Sequence, residues 1–171
     1  MATGPHNVPR WFSLSDGTLT FQATLYEALN YSQDISPLGG YSTIRMLNGT
    51  GLKQTNWTKH AITISGNGGI PLGMQDLDYS KQITLKCGAP RSIVRATNSF
   101  TLPSHRNDTG YEPYVLKFVD GFWVPLSSSG APSKYMKVYY PQFTCFFDPP
   151  EESYSWDSNP PVSWSLKGEE V

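Results

Sequence analysis

A chain of 171 residues has room for one substantial core and is short for two. A formal net charge of −1, with only 16% charged residues, offers no long-range attraction to nucleic acid or to an anionic membrane. No apolar run approaches the ~18 residues that a membrane-spanning helix needs. Fifteen glycines, 14 prolines and 13% aromatics favour short strands joined by tight turns. The expectation is an all-β fold, an antiparallel sandwich or barrel, in a single β-domain over 1–171.

Residues 1–10 are mostly polar or small, carry Pro5 and Pro9, and read as an extended arm. The start, MATGPHNVPRWF, has no charged segment followed by an apolar one, so no secretory signal is expected there. Residues 11–25 predict a hairpin about Asp16-Gly17, with Leu19, Phe21, Ala23 and Leu25 as its apolar face. Residues 26–40 are less regular, and Ser36-Pro37-Leu38-Gly39-Gly40 reads as a turn or loop. Residues 41–47 predict a strand closed by Asn48-Gly49. The chain then passes Gly51 and Trp57 into a strand starting at His60.

The stretch 59–95 shows the plan most clearly. Ile62 and Ile64 alternate with Ala61, Thr63 and Ser65, which is the period of a strand. Glycines at 66, 68 and 69 interrupt it. Residues 74–80, MQDLDYS, predict one short helical segment. Ile83, Leu85 and Cys87 then point one way and Gln82, Thr84 and Lys86 the other. Gly88-Ala89-Pro90 ends that strand, and 92–96 starts another.

After Ala96, NSFTLPSHRNDTG is a polar loop long enough to reach a neighbour. Residues 114–119 and FWVPL form a second hairpin about Asp120-Gly121. Residues 127–133 read as a flexible tip. The longest strand-like run is 134–147; Pro141 within it lacks a ladder donor and belongs at an edge or bulge. DPPEESYSWDSNPP reads as a stiff connector with exposed aromatics. In the last strand, Val162, Trp164 and Leu166 face inward. Pairing to its final residues suggests a closed sheet or an edge offered to a neighbour.

Reactive chemistry is sparse. His6, His60 and His105 sit in different elements without the short His/Cys spacing of a zinc site. Asp76 and Asp78 lack a calcium loop's distal glutamate. Ser65-Gly-Asn-Gly-Gly is not followed by Lys-Ser/Thr and reads as a turn, not a phosphate loop. Nothing sets Glu151 and Glu152 across a cleft as a glycosidase pair, and no G-x-S-x-G elbow occurs. No catalytic residue, metal or cofactor is expected. Cys87 and Cys145 lie in apolar strand patterns and read as buried thiols; whether they pair depends on their strands being neighbours. The acceptor patterns at Asn30, Asn48, Asn56 and Asn107 read as chance in a chain rich in Ser and Thr. Among the aromatics, Trp123 and Trp164 read as core. Tyr154 and Trp156 read as an exposed pair, meaning sugar stacking or a protein interface.

The stretch GGYSTIRMLNGTGLKQTNWTKHAITISGNGGIPLGMQDLDYSKQITLKC resembles the β-domains of small tail proteins of long, non-contractile-tailed bacteriophages. The resemblance rests on the Arg45…Asn48-Gly49 turn, Trp57-x-Lys59, Ile64-Ser65-Gly66-x-Gly68, Pro71-Leu72-Gly73…Leu77-Asp78-Tyr79-Ser80 and the Cys87 strand. The ending, YYPQFTCFFDPPEESYSWDSNPPVSWSLKGEEV, is similar to the closing strand of tail and baseplate proteins. Together these cover about half the chain. The resemblance implies a virion structural protein without enzymatic activity or cofactor, assembled in the host cytoplasm. It would form a ring around a lumen, in the tail tube or the distal tail and baseplate. Its partners would be copies of itself and neighbouring tail or baseplate proteins, with DNA passing through the lumen without specific binding. Tyr154, Trp156, the N-terminal arm and the 98–110 and 127–133 loops are the candidate contacts. The alternative is a carbohydrate-binding β-sandwich using Tyr154 and Trp156, with Tyr139 and Tyr140 as further candidates.

Overall fold

The computed structural model describes residues 11–23, 31–157 and 162–171. The expected arm over 1–10, His6, Leu25, Asn30 and the start of the 26–40 stretch lie outside them. The described residues form an all-β, antiparallel structure. Strands β1 (Ser13–Ser15), β2 (Thr20–Gln22), β3 (Tyr31–Arg45), β4 (Gly51–Asn67), β5 (Ile83–Lys86), β10 (Gln142–Phe147) and β12 (Val162–Glu170) make one sheet in the order β2-β1-β5-β10-β12-β4-β3. Strand β11 (Glu151–Tyr154) joins it as a second neighbour of β12, on the side where β10 lies. Strands β6 (Arg91–Arg95), β7 (Tyr114–Val119), β8 (Phe122–Pro125) and β9 (Lys134–Tyr139) make a second sheet in the order β6-β9-β7-β8.

Alternation set the inward face correctly at most positions. Leu14, Phe21, Ile62, Ile64, Ile83, Leu85, Phe143, Cys145, Trp164 and Leu166 are buried in one core with Phe12, Met74 and Leu77. The eight-stranded sheet curls around this core. Rings from near its two ends, Phe12 and Tyr31, meet edge to face at 4.7 Å. Yet β2 and β3 do not pair, so the arrangement is sandwich-like and not a closed barrel. Both expected hairpins are present. In the first, Asp16 accepts the N–H groups of Thr18 and Leu19, each at 2.7 Å. In the second, Asp120 and Gly121 both have positive φ, the combination that suits a tight turn to the twist of its strands.

Pro141 sits between β9 and β10, where the chain leaves the small sheet for the large one. Its carbonyl accepts the Cys87 N–H at 3.0 Å, and His105 bridges to it. The same ladder crosses with it: Lys86 lies opposite Gln142 in one sheet, and Arg91 opposite Tyr139 in the other. The break falls where a missing donor costs least.

Several expectations are corrected. Residues 74–80 are turns, and no helix occurs among the described residues. Gly73 has φ +87°, and the segment is too short to nucleate a helix unaided. Its bonds are turn-like: Met74 N–H to Pro71, Lys81 N–H to Asp78, and the Tyr79 hydroxyl to the Met74 carbonyl at 2.6 Å. Together they seat Met74 and Leu77 on the core. The 36–40 stretch is strand, not loop: Pro37 and Gly39 lie inside β3 and pair with His60 and Thr58. Strand β4 begins at Gly51, nine positions before the expected start at His60. The proline-rich connector holds β11. Strand β12 is interior, between β4 on one side and β10 and β11 on the other, so the terminal strands of the large sheet are β2 and β3. Leu19, in the first turn, is exposed.

Both loops expected to bridge neighbours are tied to the chain itself. In the 98–110 loop, Arg106 is buried at 3% exposure. It donates to Asp108, to the Trp11 carbonyl at 2.7 Å and to the Cys87 carbonyl at 3.0 Å. Its guanidinium lies 3.4 Å from the centre of the Tyr111 ring. Lys137 donates to the Phe100 carbonyl at 2.8 Å. Beyond β8, buried Lys117 donates to the carbonyls of Ser128 and Gly130, which fastens the 127–133 turn.

Candidate functional site: a projecting arm

Strands β3 and β4 pair from Tyr31 opposite Gly66 to Arg45 opposite Gly51. Strand β12 lines β4 only over its last part, from Glu169 opposite Ala61 to Ser163 opposite Asn67. Beyond that, β4 has β3 alone. Residues 39–58 are therefore a two-stranded arm that leaves the sheet. Its stretch from Gly39 to Arg45 is roughly 20 Å long at ~3.3 Å per residue. Every residue from 41 to 55 is exposed.

An isolated two-stranded ribbon is marginal in water. Local features hold this one. Register shifts between Gly39 and Tyr41, which marks a bulge at the arm's base. There the Tyr41 ring lies against Gly39 and the Trp57 indole against Gly40; a Cβ at either glycine would fall 2.6 Å from the ring. Bare glycine backbone thus gives the two rings a seat. The Lys53 ammonium sits 4.7 Å over the Tyr41 ring. At the tip, Gly49 with φ +80° allows the turn. Met46 N–H reaches the Thr50 carbonyl at 3.0 Å, Gly49 N–H the Met46 carbonyl at 2.8 Å, and Thr50 N–H the Asn48 side chain at 3.0 Å.

The arm's end is apolar. Ile44 faces Leu52 across the ribbon, both exposed, and Met46 and Leu47 crown the turn with Leu47 fully exposed. Large apolar side chains clustered in water are a feature that interaction surfaces share. Its charge is of one sign: 39–59 contains Arg45, Lys53 and Lys59 and no carboxylate.

The aromatics chosen from sequence lie elsewhere. Tyr154 in β11 and Trp156 just beyond it are 55% and 85% exposed, with rings 5.0 Å apart and an interplanar angle of 87°. They stand edge to face and do not form a flat platform. Tyr139 and Tyr140 are buried, so neither can stack on a ligand without unpacking. Trp164 is core as expected, whereas Trp123 is partly exposed against Phe118. Near β11, a groove of about 830 Å³ runs over β3, β4, β12 and β11. Ser32, Ser65, Ser165 and Glu151 form one row across it, and Ser32 and Ser65 share a hydrogen bond of 2.8 Å.

Burial pushes the Cys87 thiol up to about 11, opposed by a hydrogen bond from Gln33, and pushes Cys145 up to about 12. Both are free. Cys145 lies opposite Ile83, four residues from Cys87, so they sit roughly 13 Å apart along the sheet, beyond the ~7 Å Cα limit for a disulfide. His60 bonds Glu170 at 2.7 Å, and His105 bonds the Pro103 carbonyl at 2.7 Å. Asp78 is held down at about 2 by its hydrogen bonds with Ser80 and Lys81. Among the described residues, no three His, Cys, Asp or Glu side chains gather as metal ligands.

Sequence reading split the arm, ending it in a loop at 36–40 and starting its second strand late. The signal was present in the Asn48-Gly49 turn, flanked on both sides by residues that suit a strand. Comparison of the chain with protein-family models, with curated proteins and with solved structures gives no match.

Proposed function

We propose that the chain is a structural subunit that works by self-association, with the 39–58 arm reaching into a neighbouring copy. One observation carries this reading: a ribbon exposed on both faces ends in Ile44, Met46, Leu47 and Leu52, an apolar tip beyond the reach of the chain's own core. A soluble monomer gains nothing from such a tip; an assembly gains a contact per copy. The sequence resemblance gives the finer reading. The assembly is a ring in the tail tube or distal tail and baseplate of a long, non-contractile-tailed phage, DNA passes through its lumen without specific binding, and its place is the virion. Net charge near zero is compatible with such a conduit.

The test is sedimentation with negative-stain microscopy on the full chain and on a variant in which 41–55 is replaced by a short Asn-Gly turn. The full chain should form multimers or rings, and the variant should stay folded and monomeric. A full chain that remains monomeric at every concentration and salt tried overturns the proposal.

The hydroxyl-lined groove favours a second reading, a carbohydrate-binding module, because serines and a carboxylate suit sugar hydroxyls. Binding of glycans by a monomer, lost in Ser65→Val, would support it over assembly.

A further inference from the structure

We infer that the arm of one copy docks on the acidic, aromatic strap 148–157 of the next copy. This rests on the self-association reading and names the surface that receives the arm.

The charges are complementary. The strap, DPPEESYSWD, holds Asp148, Glu151, Glu152 and Asp157 and no cation. Lys167 pairs with Glu151 at 2.9 Å, which leaves the neighbourhood acidic. The arm brings Arg45 and Lys53. The apolar parts match too: Tyr154 and Trp156 are the exposed aromatics of the strap, and Ile44, Met46, Leu47 and Leu52 are the exposed aliphatics of the tip. Aromatic anchors with a charged rim are the usual make-up of a specific interface.

Geometry makes the contact intermolecular. Glu152 pairs with Trp164, and Trp164 with Gly66, so the strap lies level with residue 66 of β4. Leu52 lies fourteen residues back along the same strand, roughly 45 Å away at ~3.3 Å per residue. A copy cannot reach its own strap. Donor and acceptor at opposite ends of one molecule make a head-to-tail contact, which closes into a ring or extends as a filament.

Size sets the behaviour. A ribbon about 20 Å long and about 10 Å wide offers on the order of 400 Å² over both faces, about half of what one partner contributes to a stable dimer. One arm is a weak contact. A closed array, in which each copy gives and receives an arm, holds by the sum of such contacts. Assembly should therefore rise steeply with concentration and weaken with salt.

Charge swapping tests this. Arg45→Glu/Lys53→Glu and Asp148→Lys/Asp157→Lys should each weaken association at least about tenfold, while the chain carrying all four changes, or an equal mixture of the two variants, regains it. All four positions are exposed, so melting curves taken at concentrations too low for assembly should stay close to the parent's. Independently, an oxidised mixture of Leu47→Cys and Trp156→Cys chains should give a disulfide-linked heterodimer. If the parent assembles but strap reversal leaves association unchanged, or Leu47→Cys does not link to Trp156→Cys in the assembly, the strap is not the receptor and the self-association reading stands. If the parent does not assemble at all, both fall.

Discussion

Arg106→Met asks how strongly the 98–110 loop is bound to its own molecule. The guanidinium is 3% exposed and spans three parts of the fold: Asp108 in its own loop, the Trp11 carbonyl before β1, and the Cys87 carbonyl after β5. Methionine keeps much of the volume and removes all of these bonds. Hydrogen bonds to a charged group contribute about 1.5–3 kcal/mol each, and a buried carbonyl left without a donor costs about 1–3 kcal/mol. Loss of the stacking on Tyr111 adds about 1 kcal/mol. Against this, the arginine no longer has to be desolvated. The net expectation is a loss of about 3–5 kcal/mol, the range for breaking one partner out of a buried charged pair. At about 2–4 °C per kcal/mol for a chain of this size, melting should fall by roughly 6–20 °C. Asp108→Asn should cost less, about 1–2 kcal/mol, because Asp108 is a third exposed and the arginine keeps both carbonyl acceptors. The assay is urea unfolding of the arm-shortened chain, so that assembly does not add to apparent stability. An Arg106→Met variant within about 0.5 kcal/mol of its parent, the range of ordinary surface changes, would refute the reasoning.

Gly66→Ala should destabilise by about 1–3 kcal/mol, since its Cβ would sit 2.6 Å from the buried Trp164 ring, whereas Gly40→Ala, with a similar clash against half-exposed Trp57, should cost well under that because the indole can swing aside; paired melting curves decide between them. Cys87 and Cys145 should resist a thiol reagent at pH 8 in the folded protein and both react once it is unfolded, because burial raises each thiol to about 11 and about 12. Acid should destabilise the fold below about pH 4. Backbone N–H groups of Leu19, Asp78 and Thr18 lower Asp16. Burial raises Asp108, but hydrogen bonds from Arg106 and Lys86 outweigh it and lower it on balance, and Asp78 sits at about 2. Folded values below the unfolded ~3.9 mean stabilisation that is complete above that pH and lost as pH falls through the folded values. Asp108→Asn should flatten the acid limb of a melting-temperature profile, and an unchanged limb would contradict its assignment.

The arm itself was half legible. Asn48-Gly49 marked its tip, and 41–47 was read as a strand leading to it. Pro37 and the Gly39-Gly40 pair hid its base, because both signal a turn when read alone. They are tolerated in β3 for tertiary reasons: the strand is an edge, where Pro37 can do without a ladder donor on its outer side, and rings of Tyr41 and Trp57 cover the glycines. Tyr154 and Trp156 were legible as exposed, while the strand beneath them was not, since β11 forms only because β12 offers it an edge beside β10.

By itself the sequence determined what neighbouring residues decide: the antiparallel β class, the inward face of most strands, and the turns at Asp16-Gly17, Asn48-Gly49 and Asp120-Gly121. Side-chain alternation and turn geometry are local properties, so they can be read in a window of a few residues. Tertiary structure decided which strands neighbour one another, that β12 is interior while β2 and β3 are terminal, that Arg106 turns inward, and that 39–58 stands clear of the sheet. Those outcomes depend on pairings between residues far apart in the chain, and no local pattern records where β12 stops covering β4.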